Sequence, residues 1–233
     1  MTQISERLRH ISLKIAYTPL ADIGTDHALL PIHAVSCGII SSAIAVDVRP
    51  GPLECARTNI GQVKGIDLRL GSGLSVLKPG EAETIVISGM GGALICSILS
   101  AGADVAMAAK QLILAPQASI PLVRKLAHEL GFCIFDEEIL LEYGNFYHII
   151  DIRTSKDPNF TRDKPYTPTE YELGRCLMKK RSSVFLRYAQ HMAKRCESTA
   201  CEISKSQSLE SKSKLADVLA LRNIYKNHEG DVW

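Results

Sequence analysis

Apolar positions alternate between two spacings along the first 130 residues. Short apolar, β-branched runs predict strands at Leu20–Ile23, Ser42–Val46, Ile66–Leu70, Thr84–Ile87 and Gln111–Leu114. Between most of them the spacing widens to three and four. That spacing predicts helices over 26–37, 50–61, 91–109 and 119–130, the last opened by Ser119 ahead of Pro121. Strands separated by helices imply a parallel sheet. Runs without polar alternation are those expected when both faces of a sheet are covered. Before the first strand, Ile4, Leu8, Ile11 and Ile15 mark an amphipathic segment with charges between them.

The pattern changes after Phe132. Phe132–Leu141 and Phe146–Ile152 read as two strands, and Glu142-Tyr143-Gly144-Asn145 between them reads as a hairpin turn. An antiparallel hairpin closes the sheet, whereas a plain dinucleotide fold would end on a parallel strand. Residues 155–168 hold three prolines among polar residues and read as a linker. Beyond it, a helix over about 170–206 carries Leu173, Leu177, Val184, Tyr188 and Met192 on one stripe. A second, over about 209–228, carries Leu215, Val218, Leu219 and Tyr225. The serine-rich stretch 204–213 is expected to hold the turn of an antiparallel helical hairpin. Its stripe is thin, so the hairpin is expected to stand out like a coiled coil.

Composition refines this picture. With 233 residues and 46% hydrophobic content, one α/β core plus an appendage is affordable in size. The net charge of +2 conceals an asymmetry: residues 1–154 carry 12 Lys/Arg against 15 Asp/Glu, and residues 155–233 carry 15 against 10. A basic tail on an acidic body points to a polyanionic partner, or to a solvated helical surface. The seven cysteines are odd in number and form no C-x-x-C. Several lie inside apolar patterns, which argues against a disulfide framework or a zinc site, and for a reducing, cytoplasmic setting. No metal is expected. The N-terminus is too polar for a signal peptide, and no run approaches the roughly 20 apolar residues of a membrane span. The oligomeric state is not fixed by these features; a monomer is the working expectation.

Chemistry concentrates at the strand ends. Leu20-Ala21-Asp22-Ile23-Gly24-Thr25-Asp26-His27-Ala28 reads as a strand, a tight turn and a helix N-terminus. Backbone N–H groups and the helix dipole there suit anionic or hydroxyl-rich groups. Asp22 adds the opposite charge, so a ligand with a cation as well is expected. S-adenosylmethionine has all of these groups. A dinucleotide would call for G-x-G-x-x-G, and Asp26 stands where its second glycine would be. An ordinary β–α turn with a capping aspartate fits the same segment equally well. Asp47 ends the second strand, where a carboxylate can accept both ribose hydroxyls. Gly71-Ser72-Gly73 follows the third, small enough for an adenine ring to approach the backbone. Ser88-Gly89-Met90-Gly91-Gly92 follows the fourth, in the position that faces the reacting methyl group. Ala115-Pro116-Gln117 follows the fifth and can present the Gln117 amide to a base edge.

Together these segments resemble the bacterial tRNA (adenine(22)-N1)-methyltransferases. The resemblance rests on Asp22-Ile23-Gly24-Thr25-Asp26-His27-Ala28 with Leu30-Pro31-Ile32, on Asp47 and Gly51-Pro52, and on Arg69-Leu70-Gly71-Ser72-Gly73-Leu74. It continues through Gly89-Met90-Gly91-Gly92, Leu112-Ile113-Leu114-Ala115-Pro116-Gln117, Glu138-Ile139-Leu140 and Tyr147-His148-Ile149-Ile150. It covers residues 1–153 in order; the tail matches in pattern only. There are two departures. The family usually reads Leu-Gln-Pro-Asn after the fifth strand, so Gln117 moves the amide by a methylene. It often has Tyr where Leu29 stands.

The resemblance implies an α/β, Rossmann-like class I methyltransferase sheet with an antiparallel C-terminal hairpin strand. Residues 1–154 would bind S-adenosylmethionine, and 155–233 would form a helical, basic tRNA-binding hairpin. The implied reaction is methyl transfer to N1 of an adenine in the D-arm of tRNA. The expected donor contacts are Asp22, Gly24, Thr25, Asp47, Gly71, Ser72, Gly73, Ser88 and Gly89. Asp26, His27, Met90 and Gln117 are expected at the reacting base. A class I methyltransferase acting on a small molecule, and a non-catalytic nucleotide- or tRNA-binding relative, remain as alternatives.

Overall fold

The computed structural model describes residues 4–205 and 208–229. Seven strands form one mixed sheet: β1 (Leu20–Ile23), β2 (Ala43–Asp47), β3 (Ile66–Leu70), β4 (Thr84–Ser88), β5 (Gln111–Ala115), β6 (Cys133–Glu142) and β7 (Asn145–Arg153). Their order is β3-β2-β1-β4-β5-β7-β6. The first five are parallel, and β7 enters antiparallel to β5 with β6 on its outer edge. The order reverses between β1 and β4, which opens a crevice outside the carboxyl ends of those strands.

Helices cover both faces. α1 (Glu6–Lys14), α2 (Leu29–Ser36) and α3 (Pro50–Ile60) lie on one side; α4 (Gly92–Ala101), α5 (Ala103–Ala108) and α6 (Ile120–Glu129) lie on the other. Neighbouring residues of a strand serve opposite cores, as the two-residue period of a strand requires. Ile85 and Ile87 join the core beneath α4–α6, while Val86 between them joins the core beneath α1 and α2. All of β1, β2 and β5 is buried, which explains their continuous apolar runs.

Several local expectations are corrected. The single helix over 91–109 is two helices, broken at Gly102, where a Cβ would lie 2.5 Å from that of Leu74. The helix over 26–37 starts at Leu29, behind Ala28 in the left-handed region, so Asp26 does not cap it. Ser119 precedes α6 but makes no side-chain capping bond.

The tail helix over 170–206 is three helices: α7 (Pro168–Leu173), α8 (Arg175–Lys180) and α9 (Ser183–Ile203). They break at Gly174 (φ +90°) and Arg181 (φ +45°). α10 (Leu209–Lys226) returns against α9; residues 206–207 of the expected turn lie outside the described residues. Leu173, Leu177 and Tyr188 still share one core, but with Ile139 and Phe146 of the β6–β7 hairpin. The base of the helical hairpin is therefore docked on the sheet edge. The expected linker is likewise packed down, with Asp157 and Tyr166 buried and Tyr166 edge-on to His128.

A charged cluster fastens this junction. Arg124 of α6 and Glu137 of β6 are 0% and 1% exposed, with Nε donating to Oε1 at 2.6 Å. Arg124 also donates to the carbonyls of Tyr171 and Glu172 at 2.8 Å. Glu137 accepts from the Cys176 N–H at 3.3 Å. Gly174 sits against both side chains, where a Cβ would come within 2.7 Å of either.

Candidate active site

The turn after β1 is held by its backbone and by the two acids beneath it. The N–H groups of Gly24 and Thr25 both donate to the Val46 carbonyl, at 2.8 and 2.9 Å. Gly24 has φ +74°, and a Cβ there would lie 2.1 Å from the Met90 methyl. The positive φ favours glycine, and a side chain there would also have to displace the Met90 terminal methyl. Asp26 and Ala28 also take positive φ, at 53° and 56°. Such strain in non-glycine residues persists where surrounding contacts over-determine it.

Two buried acids form the floor. Asp22 is 4% exposed, and its Oδ2 accepts from the Thr25 hydroxyl at 2.7 Å. Burial pushes its carboxyl up to about 6; the Thr25 hydroxyl opposes that shift and Asp47 adds to it. Asp47 is 5% exposed and accepts from the backbone N–H of Asp26 (3.1 Å) and of Arg49 (2.9 Å). It thus ties the end of β2 to the first loop. Neither acid has a buried cation: the Arg49 Nε is 3.9 Å from Asp47 on a side chain 70% exposed.

The loops after β4 and β5 are held as one unit. The Gln117 N–H donates to the Met90 carbonyl at 2.9 Å, and the Gly92 N–H to the Ala118 carbonyl at 2.8 Å. Gly92 admits no side chain, since a Cβ would lie 2.6 Å from the Ala118 and Ser119 carbonyl oxygens. At Gly89 the reverse holds: a Cβ would meet nothing within 4 Å.

These loops enclose one cleft of about 500 Å³ at the reversal of strand order. Asp22, Gly24, Thr25 and Asp47 line it from the first two strands. Gly71, Ser72 and Gly73 line it from the third, Ser88, Gly89 and Met90 from the fourth, and Gln117 from the fifth. Asp26 and His27 stand at its exposed rim, with the His27 Nε2 3.5 Å from Asp26. Every residue singled out from the sequence for donor or base thus lies on one surface. Leu29, at the place of the family's frequent Tyr, lines it too.

The structure adds walls that sequence reading missed. Val48 and Leu94, 63% and 53% exposed, supply apolar surface. Arg7 and Leu8 of α1 close one side. The Arg7 Nε is buried with no hydrogen-bond partner, and its guanidinium carbon is 5.1 Å from the Tyr147 ring centroid. The amphipathic spacing of α1 hid this role, because a charge between core positions reads as solvent-facing. Among the described residues, no group of three or more His, Cys, Asp or Glu is placed to hold a metal ion, and no helix is long and apolar enough to cross a membrane.

Known proteins share this arrangement. The family model described as a methyltransferase domain matches residues 4–150. The tRNA (adenine(22)-N(1))-methyltransferase of Bacillus subtilis is 34% identical over 232 residues, 96% of each chain. The crystal structure of that organism's m1A22 tRNA methyltransferase superposes with a TM-score of 0.85 at 32% identity, covering 98% of this chain and 99% of that one. A Streptococcus pneumoniae protein crystallised in complex with S-adenosyl-L-methionine superposes with a TM-score of 0.85 at 30% identity, over 98% of this chain and 100% of that one. The sheet, the cleft and these relatives agree: the chain belongs to the tRNA (adenine(22)-N1)-methyltransferase family.

Proposed function

We propose that this protein methylates N1 of adenine 22 in the D-arm of tRNA, using S-adenosylmethionine, and does so in the cytoplasm. The observation that carries the reading is the single cleft in which Asp22, Asp47 and the loops after five strands meet, three of those loops lined by glycine. Its chemistry fits the donor. Asp22, buried without a cation, suits the α-ammonium. Asp47, already held by two N–H groups, keeps lone pairs for the ribose hydroxyls. Gly71, Ser72 and Gly73 leave backbone open to the adenine ring, with Leu94 and Ile98 as apolar wall. Thr25 holds the Asp22 carboxylate in place, and Ser88 and Gly89 flank the open space beside Met90.

When bound, the donor supplies an electrophilic methyl group on a sulfonium. Adenine N1 carries an in-plane lone pair, so no base need first remove a proton. The task left to the chain is to align N1 with that methyl group, which is proximity and orientation. Positive charge passes to the adenine ring as the N–C bond forms. Asp26 faces that charge, with His27 beside it. Met90 packs on the base, and Gln117 contacts its edge. N1 lies on the Watson–Crick edge, so the adenine enters unpaired. Arg7 offers its unpartnered Nε to an anionic group entering the cleft.

Residues 1–154 carry the donor cleft and residues 155–233 position the tRNA. Lys179, Lys180, Arg181, Arg187, Lys194 and Arg195 are all exposed on α8, the α8–α9 turn and α9. Such a surface draws on phosphate contacts and weakens with added salt.

The test is mass spectrometry of nucleosides from unmodified tRNA incubated with enzyme and donor. N1-methyladenine is expected; label on guanine, or on no nucleoside, would overturn the assignment. Asp26→Asn should lower turnover more than donor affinity, the pattern of an interaction made mainly in the transition state.

A further inference from the structure

A second cavity, of about 640 Å³, lies between the loop after β5, the β6–β7 turn and α9. Its size falls within the roughly 300–1,000 Å³ of small-ligand sites. Phe146, Tyr147 and Tyr188 line it, a high density in a chain in which Phe, Trp and Tyr make up 6% of residues, and the His191 ring lines it beside them. Arg195 stands at its exposed edge. His148 lines it as well and is 3% exposed, edge-on to the Tyr188 ring at 4.8 Å. Neither ring nitrogen of His148 has a hydrogen-bond partner. A buried polar side chain left unpaired on both atoms is costly, and such groups in native proteins call for an explanation. Burial, helped by Arg124, pushes this imidazole down to about 3, so the ring is neutral and offers one donor and one acceptor.

Two residues join this cavity to the donor cleft. Gln117 lines both. Arg7 lines the donor cleft while its guanidinium packs on Tyr147, which lines the second cavity. Whatever occupies the second cavity therefore lies beside Gln117, the residue proposed above to contact the reacting base. Methylating a Watson–Crick edge requires an opened strand, and an opened strand exposes neighbouring bases together with the target. Aromatic faces beside an arginine are the usual platform for such bases.

We propose that this cavity receives a second unpaired nucleobase of the same RNA, close in sequence to the target adenine. The base stacks on Phe146 and His191 and hydrogen-bonds to His148, and Arg195 meets its phosphate. The inference rests on the tRNA methyltransferase reading and adds a second point at which the RNA is read.

The test uses the full-length enzyme and tRNA transcripts carrying one abasic nucleotide at a time on either side of the target. At one position the abasic transcript should raise KM about tenfold with little change in kcat, the size of one lost stacked base. His191→Ala, at an exposed position, should raise KM for intact tRNA but add nothing further with that abasic transcript. His148→Phe should do the same, and calorimetric affinity for S-adenosylmethionine should be unchanged in both variants. If the losses simply add at every abasic position, or if His191→Ala uses intact tRNA normally, the cavity does not hold a base of the RNA. The same conclusion follows if the variants lose affinity only for a free nucleoside monophosphate. Failure of the unaltered enzyme to methylate intact tRNA is a different result: it overturns the methyltransferase reading itself.

Discussion

Two of the regions that bury charge complete it differently. At the junction between body and helical hairpin, Arg124 and Glu137 are paired at 2.6 Å and their remaining atoms are engaged by backbone groups. In the donor cleft, Asp22 and Asp47 are buried with no buried cation beside them. The first arrangement has no capacity left and holds elements in place. The second lacks a positive charge, which is what a cationic ligand provides. A saturated buried pair thus acts as a joint, and an unsaturated pair of acids suits the cationic donor proposed for the cleft.

The strongest way to break the comparison is at the joint. Arg124→Ala leaves Glu137 buried and unpaired and should lower stability by about 3–5 kcal/mol. The loss should appear as a lower Tm and as faster amide exchange in α7 and α8, with donor affinity retained in protein that remains folded. Donor affinity falling in step with stability would show that the two regions are one unit.

At Asp22 the expected sign is opposite. Its carboxyl is raised from the ordinary range to about 6, so the ionised form is disfavoured in the folded protein. This penalty is absent below the unfolded value, grows as pH rises through it, and is complete above about 6. Asp22→Asn removes it and should raise stability at pH 7.5 by about 2 kcal/mol, while donor affinity falls. On the proposed assignment, it is the ionised form of Asp22 that meets the donor's ammonium group. Calorimetric donor affinity should therefore drop about tenfold between pH 7.5 and pH 5, and Asp22→Asn should lose that dependence. A variant no more stable than the parent would mean that Asp22 is already compensated in the free protein.

Asp47 sharpens the comparison through donor affinity alone. Asp47→Ala should weaken donor binding by about 1–3 kcal/mol, the range for a buried pairing group left without its partner. Unchanged calorimetric affinity would remove Asp47 from the ribose.

The contrast between the regions also explains what was legible in the chain. The donor cleft is assembled from contiguous motifs, each at the end of its own strand. Once the strands are recognised, Asp22, Asp47, Met90 and Gln117 fall on one edge of the sheet by topology. The joint draws on α6, β6, α7 and α8, and nothing local to Arg124 marks it as buried rather than solvated. Arg7 was missed for the same reason. The breaks at Gly174 and Gly102 had a local cue in the glycine, although packing against Leu74 decides the second; the break at Arg181 depends on a left-handed non-glycine residue.

By itself the sequence determined the alternation of strands and helices, the antiparallel hairpin and the set of strand-end residues, because the period of apolar positions and the placement of glycines are local properties. Tertiary structure alone decided that Asp26 is free of helix capping and that Arg124 finds Glu137. It also decided that the linker and hairpin base fold back on the sheet, and that His148 lies unpartnered beside a second cavity. These outcomes depend on which surfaces meet, and burial, desolvation and pairing arise only when they do.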